Sequence, residues 1–391
     1  MERQKTQLSS RWKILILTLG VFSIINTEMG VVGIIPQISQ TFGITIPQAG
    51  WTVSIFALIV AVSAPVMPLL FSGINRRKVM LLALSLFTAS NLISAFTESF
   101  AVLLIARALP AFFHPVYVSM AFTIAAQSVN KEDTPKAVSK IFIGVSAGMV
   151  LGVPITSFIA SHTSFAVAMI FFAIVNAVVL LATLFYMPSM PIKEKMSYGA
   201  QLSVLKKFGV WHSILIVMLI NGAMFGFFSY MSDFLNKITD FTFDTVSVLL
   251  LVYSLANITG NILAGKLFAR HKQWYILITP LFMLFGYALL FVFGDIKISA
   301  TVLVFLLGIF AGFVSIICQY LISHSASEAP DFANGLFLTA ANLGTMIGTA
   351  LCGIFIMEYG THYSLIGTLV LIAVSLLFLF THFFVIRKNK I

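Results

Sequence analysis

The sequence predicts an all-α polytopic membrane protein with twelve transmembrane helices in two pseudo-symmetric six-helix bundles. Three observations carry that expectation. Of 391 residues, 59% are hydrophobic and 9% charged, where an ordinary soluble chain is roughly a quarter charged. Apolar runs of about 20 residues, long enough to cross a hydrocarbon layer of about 30 Å as helices, recur from end to end. Lysine and arginine gather in alternate connections between those runs, the asymmetry that keeps basic loops in the cytoplasm.

The runs fall at about 13–36, 50–71, 78–96, 100–127, 137–161, 164–188, 209–234, 242–268, 273–294, 297–323, 333–357 and 361–386. The first follows Lys5 and Arg11 and begins at Lys13, yet it is too long for a signal peptide, lacks a clear cleavage site and carries Glu28, so it reads as a span. With the amino terminus inside, the inner connections hold Arg76, Arg77 and Lys78, then Lys131, Lys136 and Lys140, then Lys193, Lys195, Lys206 and Lys207, then Lys266, Arg270 and Lys272. The outer ones hold Lys237 and Lys297, and both termini are expected in the cytoplasm of a bacterial-type inner membrane. The acidic inner loop from Glu328 to Asp331 breaks the trend without reversing it.

A proline-containing basic segment, MPSMPIKEKMSYGAQLSVLKKF at 187–208, follows the sixth run and divides the chain. The expected organisation is an amino-terminal bundle at 1–188, a cytoplasmic linker at 189–208 and a carboxy-terminal bundle at 209–391. The halves echo each other. GVSAGMVLGVP in the fifth run spaces Gly144, Gly148 and Gly152 by four residues ahead of Pro154, and GTMIGTALCG in the eleventh places Gly344 and Gly348 similarly. Such spacing lays a flat strip along one helix face, against which a neighbouring helix packs closely. FSGINRRK after the second run is echoed by GNILAGKLFARHK after the eighth, with Gly265, Lys266 and Arg270.

The order and spacing of these segments resemble the major facilitator superfamily, within it the twelve-span drug:proton antiporters and their bacterial sugar and purine efflux branch. The resemblance is carried by the first run with its glutamate, ending GIIPQISQTFGITIPQAG, and by SGINRRKVMLLAL, LLIARALPAFFH, GVSAGMVLGVP and ANLGTMIGTALCG. Two segments depart from the family pattern. Gly73, Ile74 and Asn75 stand where an aspartate usually precedes the loop's basic residues, and Pro110, Phe112 and Phe113 stand where the fourth span usually carries glycines. The resemblance implies alternating-access transport, a part for Arg107 in proton coupling, and a cytoplasmic latch made by Arg76, Arg77 and Lys78 with Lys266 and Arg270 opposite. The loop cations have a plainer use in fixing topology and touching anionic lipid.

Glu28 is the residue that asks most for an explanation. It lies about eight residues from the end of its run, roughly 12 Å deep at 1.5 Å per residue. A charged carboxylate there costs a few kcal/mol unless it is paired, hydrated or protonated. On a helix, Asn26, Gly30 and Gly33 share one side and Glu28 faces nearly the other. If the glycine side packs, Glu28 faces a central cavity, where it can take up and release protons; otherwise it ties two helices together by a hydrogen bond. Arg107, in the fourth run, supplies a permanent charge for a carboxylate or backbone carbonyls. His114, seven residues on, is a candidate proton site or polar contact. Asp233 ends the seventh run and reads as solvated. Asn26, Phe112, Phe113, Tyr117, Asn221, Phe225, Phe228, Gln319 and Tyr320 are the candidate cavity residues, apolar with a few polar groups.

Several function classes are excluded or disfavoured. HExxH, a Walker A loop and CxxC pairs are absent from the sequence, and the GxSxG match, GVSAG at 144–148, lies inside an apolar run and not on a strand-to-helix turn, so neither enzymatic chemistry, a metal, a cofactor nor direct nucleotide power is expected. The net charge of +10 is a topology signal and not a nucleic-acid footprint. Cys318 and Cys352 fall inside runs, which makes a disulfide unexpected. What remains is a proton-coupled exporter of small organic molecules, acting as a monomer in lipid. An importer or facilitator not coupled through Glu28 is the alternative, and a membrane sensor without flux comes third.

Overall fold

The computed structural model describes residues 2–130, 133–191, 201–267, 272–328 and 330–388. Within them fifteen helices follow one another: α1 (Glu2–Gly30), α2 (Ile35–Phe42), α3 (Ile46–Ser63), α4 (Met67–Leu70), α5 (Arg76–Phe96), α6 (Phe100–Ala111), α7 (His114–Gln127), α8 (Thr134–His162), α9 (Phe165–Tyr186), α10 (Phe208–Lys237), α11 (Phe243–Leu267), α12 (Lys272–Phe293), α13 (Lys297–Ser325), α14 (Pro330–Tyr359) and α15 (Ser364–Lys388). They supply 12 stretches long and apolar enough to cross a membrane, and no strand occurs among the described residues.

Local chemistry sets the breaks. The first span runs from Ser10 to Phe42, further than the apolar run suggests, because a 3-10 turn at Val31–Ile34 carries the chain into α2 with Pro36 in its first turn. Gly43 ends α2 with φ +62°, a left-handed conformation that glycine adopts without Cβ strain. Two residues later Thr45 opens α3 through a capping box with Gln48. The fourth span is divided too: Pro110 near the end of α6 and Pro115 in the first turn of α7 break the helix at Phe112 and Phe113, which leaves His114 as the first residue of α7.

The chain forms two compact units, Met1–Val31 with Val66–Ser197 and Val32–Pro65 with Tyr198–Ile391. In the first, α1 packs along α8 and α5 along α9. In the second, α10 packs along α14, α11 along α13, and α3 lies on α14, joined by a hydrogen bond from Thr339 Oγ1 to the Ala61 carbonyl.

The glycine strips explain the closest packing in each unit. A Cβ at Gly144 would overlap the Thr18 carbonyl, one at Gly148 would lie 2.8 Å from Ile25 and 3.0 Å from the Phe22 carbonyl, and one at Gly152 would lie 3.1 Å from Asn26 Oδ1. In the second unit a Cβ at Gly344 would meet the Met218 carbonyl, and one at Gly348 the Gly222 carbonyl. Thr18 and Met218, Phe22 and Gly222, Gly144 and Gly344, and Gly148 and Gly348 each differ by 200 in number. The two contacts are thus copies of one arrangement, built where the glycines of one helix let the backbone of its neighbour approach.

Candidate functional site

Glu28 sits on α1 with 14 further residues of the span beyond it, the last of them Phe42, so it lies on the order of 20 Å from that end and close to mid-span. The depth expected from the apolar run falls short, because the span carries on past the turn at Val31–Ile34. The glycine side of the helix packs as its wheel implies: Asn26 lies against Gly152, and a Cβ at Gly30 would collide with Phe172 and Thr156. Glu28 faces the other way, toward the start of α7, where its Oε2 lies 3.0 Å from Nε2 of His114. The Glu28 side chain is 10% exposed and His114 half that, so the pair is largely withdrawn from water.

Arg107, on α6, completes the group. Its Nη1 donates to the Thr27 carbonyl at 2.9 Å and its Nη2 to the Glu28 carbonyl at 3.3 Å. Thr27 and Glu28 are among the last four residues of α1, whose carbonyls are the ones a helix end leaves short of intrahelical donors. The guanidinium therefore caps the end of α1 from a neighbouring helix and places its charge beside Glu28.

Two further side chains join this region. Thr27 Oγ1 accepts from Asn176 Nδ2 of α9 at 2.8 Å and, at 3.4 Å, from Asn91 Nδ2 of α5, while donating to the Ser23 carbonyl. The sequence reading missed both asparagines, although a buried amide in an otherwise apolar helix is the signal that finds them. The Glu28 segment is thereby fastened by α5, α6 and α9 while its carboxylate meets α7.

The remaining candidates scatter. Asn26 is fully buried, without a partner for its amide, and Tyr117 is fully buried against Gly20, so neither lines open space. Phe112 and Phe113 are partly exposed at the break in the fourth span, Phe113 edge-on to Phe71. In the second unit Asn221 is buried and donates to the Ala341 carbonyl at 2.7 Å, Phe228 stacks on Tyr253, Phe225 stands edge-on to Phe228, Gln319 is exposed and Tyr320 stacks on His324. Pro154 is accommodated within α8, beyond the glycine strip.

Arg76 bonds Gln127 Oε1 and Arg77 the Leu184 carbonyl, both within the first unit, and Lys78 is exposed. Asn75, in the position where the family usually carries acid nearby, caps α5 through the Arg77 N–H and also donates to Ser189 Oγ at 2.7 Å. The surroundings of Gly265 and Lys266, and the whole of Arg270, lie outside the described residues.

Asp233 overturns its expected solvation. It is 1% exposed, its Oδ1 3.0 Å from Lys237 Nζ, and its Oδ2 accepts from Thr361 Oγ1 at 2.7 Å. The helix continues a full turn past it, and the loop ahead of α15 covers it.

By the 200-residue offset, Glu28, Arg107 and His114 correspond to Phe228, Leu307 and Val314, all buried and apolar. The ionic group therefore exists in one repeat only.

Comparison with known proteins agrees with this architecture. Residues 17–331 and 214–390 match the family model described as Major Facilitator Superfamily. An uncharacterized MFS-type transporter, YtbD of Bacillus subtilis, is 29% identical over 373 residues, 93% of each chain. A probable sugar efflux transporter of Helicobacter pylori strain G27 is 27% identical over 92% of each. Among solved structures, a mutant form of the nucleoside transporter NupG superposes with a TM-score of 0.78 at 14% identity, covering 96% of this chain and 99% of that one.

Proposed function

Because the chain belongs to the Major Facilitator Superfamily, and so is a multi-pass membrane transporter and not an enzyme, we propose that it exports small organic molecules in exchange for protons across a bacterial inner membrane. The observation that carries this reading is the Glu28–His114 pair at 3.0 Å, buried at mid-span. A carboxylate and an imidazole so placed share one mobile proton, and their charge state changes when that proton leaves or arrives. Arg107 holds the backbone beneath them and biases the pair electrostatically without titrating itself.

In the cycle, halves 1–188 and 209–391 alternate access, both termini stay cytoplasmic, and a monomer suffices. A proton from outside neutralises Glu28 and loosens its hold on His114. Substrate and proton compete, so proton entry ejects substrate. The substrate is a neutral, hydrophilic or partly aromatic molecule. The name of the Helicobacter relative supports sugars.

Purified protein in liposomes holding a pH-sensitive dye, challenged with sugars, nucleosides and drugs, tests the reading. Substrate-triggered proton movement is expected for the wild type and not for Glu28→Gln inserted to the same level. Undiminished movement in the variant overturns it. One observation fits a facilitator as well: Arg107 donates to two backbone carbonyls, as a structural tie would. Counterflow indifferent to a pH gradient is that reading's signature.

A further inference from the structure

The Gly144 strip draws α8 tight against α1, but toward their amino-terminal ends the strip stops and the helices part. The cleft left there has a volume of about 390 Å³, and Arg11, Ile14, Val129, Asp133, Ala137 and Lys140 line it. That volume is at the small end of the range for ligand pockets. Its floor is apolar, and three charged side chains frame it. Among the described residues none of Arg11, Asp133 and Lys140 has an ion-pair partner. Asp133 stands at the N-cap of α8 and makes no side-chain capping bond.

The depth of the cleft is marked by Trp12, next to Arg11 and 60% exposed. Trp211 and Trp274, near the starts of α10 and α12, are exposed in the same way, and exposed tryptophans at span ends settle at the headgroup level of a bilayer. A cleft at that depth meets lipid headgroups, and its pattern of two cations and one acid is not that of a simple anion site. We propose that it binds a phosphate carrying a primary ammonium, as in the headgroup of phosphatidylethanolamine. Arg11 and Lys140 take the phosphate oxygens, Asp133 accepts from the ammonium, and Ile14, Val129 and Ala137 receive the glycerol end. The occupant bridges α1 to α8 where the glycine strip no longer does.

Thermal unfolding of the full chain in mixed micelles tests this, with phosphatidylethanolamine, phosphatidylcholine, phosphatidylglycerol, soluble phosphoethanolamine or inorganic phosphate added. Phosphatidylethanolamine is expected to raise the midpoint by several degrees more than phosphatidylcholine, whose quaternary ammonium has no N–H to donate. Arg11→Gln with Lys140→Gln should abolish the rise, and Asp133→Asn should remove the preference for phosphatidylethanolamine while keeping the response to phosphatidylglycerol. These positions are exposed at the surface, and a variant that unfolds at the wild-type temperature without added lipid is folded. Equal shifts from phosphatidylethanolamine and phosphatidylcholine, or a shift that survives the double substitution, overturn the proposal. A full shift from soluble phosphoethanolamine or phosphate overturns the lipid as the source.

Discussion

At the scale of single residues, Arg107 is a fork across two carbonyls, and lysine cannot reproduce it. An ammonium is a point donor, whereas the guanidinium serves Thr27 and Glu28 together. Arg107→Lys is therefore expected to lose one charge-assisted bond, about 1.5–3 kcal/mol, read as a lower unfolding midpoint even though the charge is kept. His114→Asn separates position from titration. The amide can still donate an N–H to Glu28 but neither gains nor loses a proton at any working pH, so binding of substrate at neutral pH should persist while the dependence of efflux on the pH gradient flattens. An unchanged gradient dependence would remove His114 from the coupling. Glu28 and Arg107 were legible because a charge in an apolar run stands out. Asn91 and Asn176 are polar residues in apolar runs too, but only their position against Thr27 gives them a role.

At the scale of elements, the strip on α8 makes a sharp prediction. Gly148→Leu places a side chain where even a Cβ is 2.8 Å from Ile25, and overpacking of this kind costs about 1–3 kcal/mol. The same change at Gly209, where a Cβ meets nothing within 4 Å, should leave the midpoint within experimental error. Comparing the two variants by thermal unfolding checks whether the strip or glycine content in general matters. The strip was readable from spacing alone, since four-residue periodicity belongs to one helix and needs no tertiary knowledge. Asp233 was misread for the opposite reason. Its burial depends on Thr361, 128 residues away, and no local pattern announces that the loop before α15 folds over the end of α10. Thr361→Val should strip one buried carboxylate oxygen of its donor and cost about 1–3 kcal/mol, while Lys297→Ala, which breaks a pair of exposed charges at 3.8 Å and an exposed contact of the ammonium with the Phe241 ring, should cost about 1 kcal/mol.

At the scale of the whole molecule, the number of spans was legible and their extents less so. Length and apolar composition fix how many times the chain crosses, but the first span outlasted its run because Pro36 and Gln37 look like a terminus when read locally and like a helix start once the 3-10 turn is seen. The proposed orientation rests on the basic loops and predicts an accessibility pattern: a cysteine at position 297 in a chain with Cys318 and Cys352 replaced should react with an impermeant maleimide added outside intact cells, and one at position 76 only after permeabilisation. The reverse pattern would invert the topology. The constant offset of 200 between the two glycine contacts also bears on ancestry. Six is an even number, so a half-length ancestor would have begun and ended on one face of the bilayer, and fusing two of its genes end to end required no extra crossing to bring the second copy into register. In the joined chain one copy carries the acid, guanidinium and imidazole, and the other has hydrocarbon at the corresponding positions, Phe228, Leu307 and Val314.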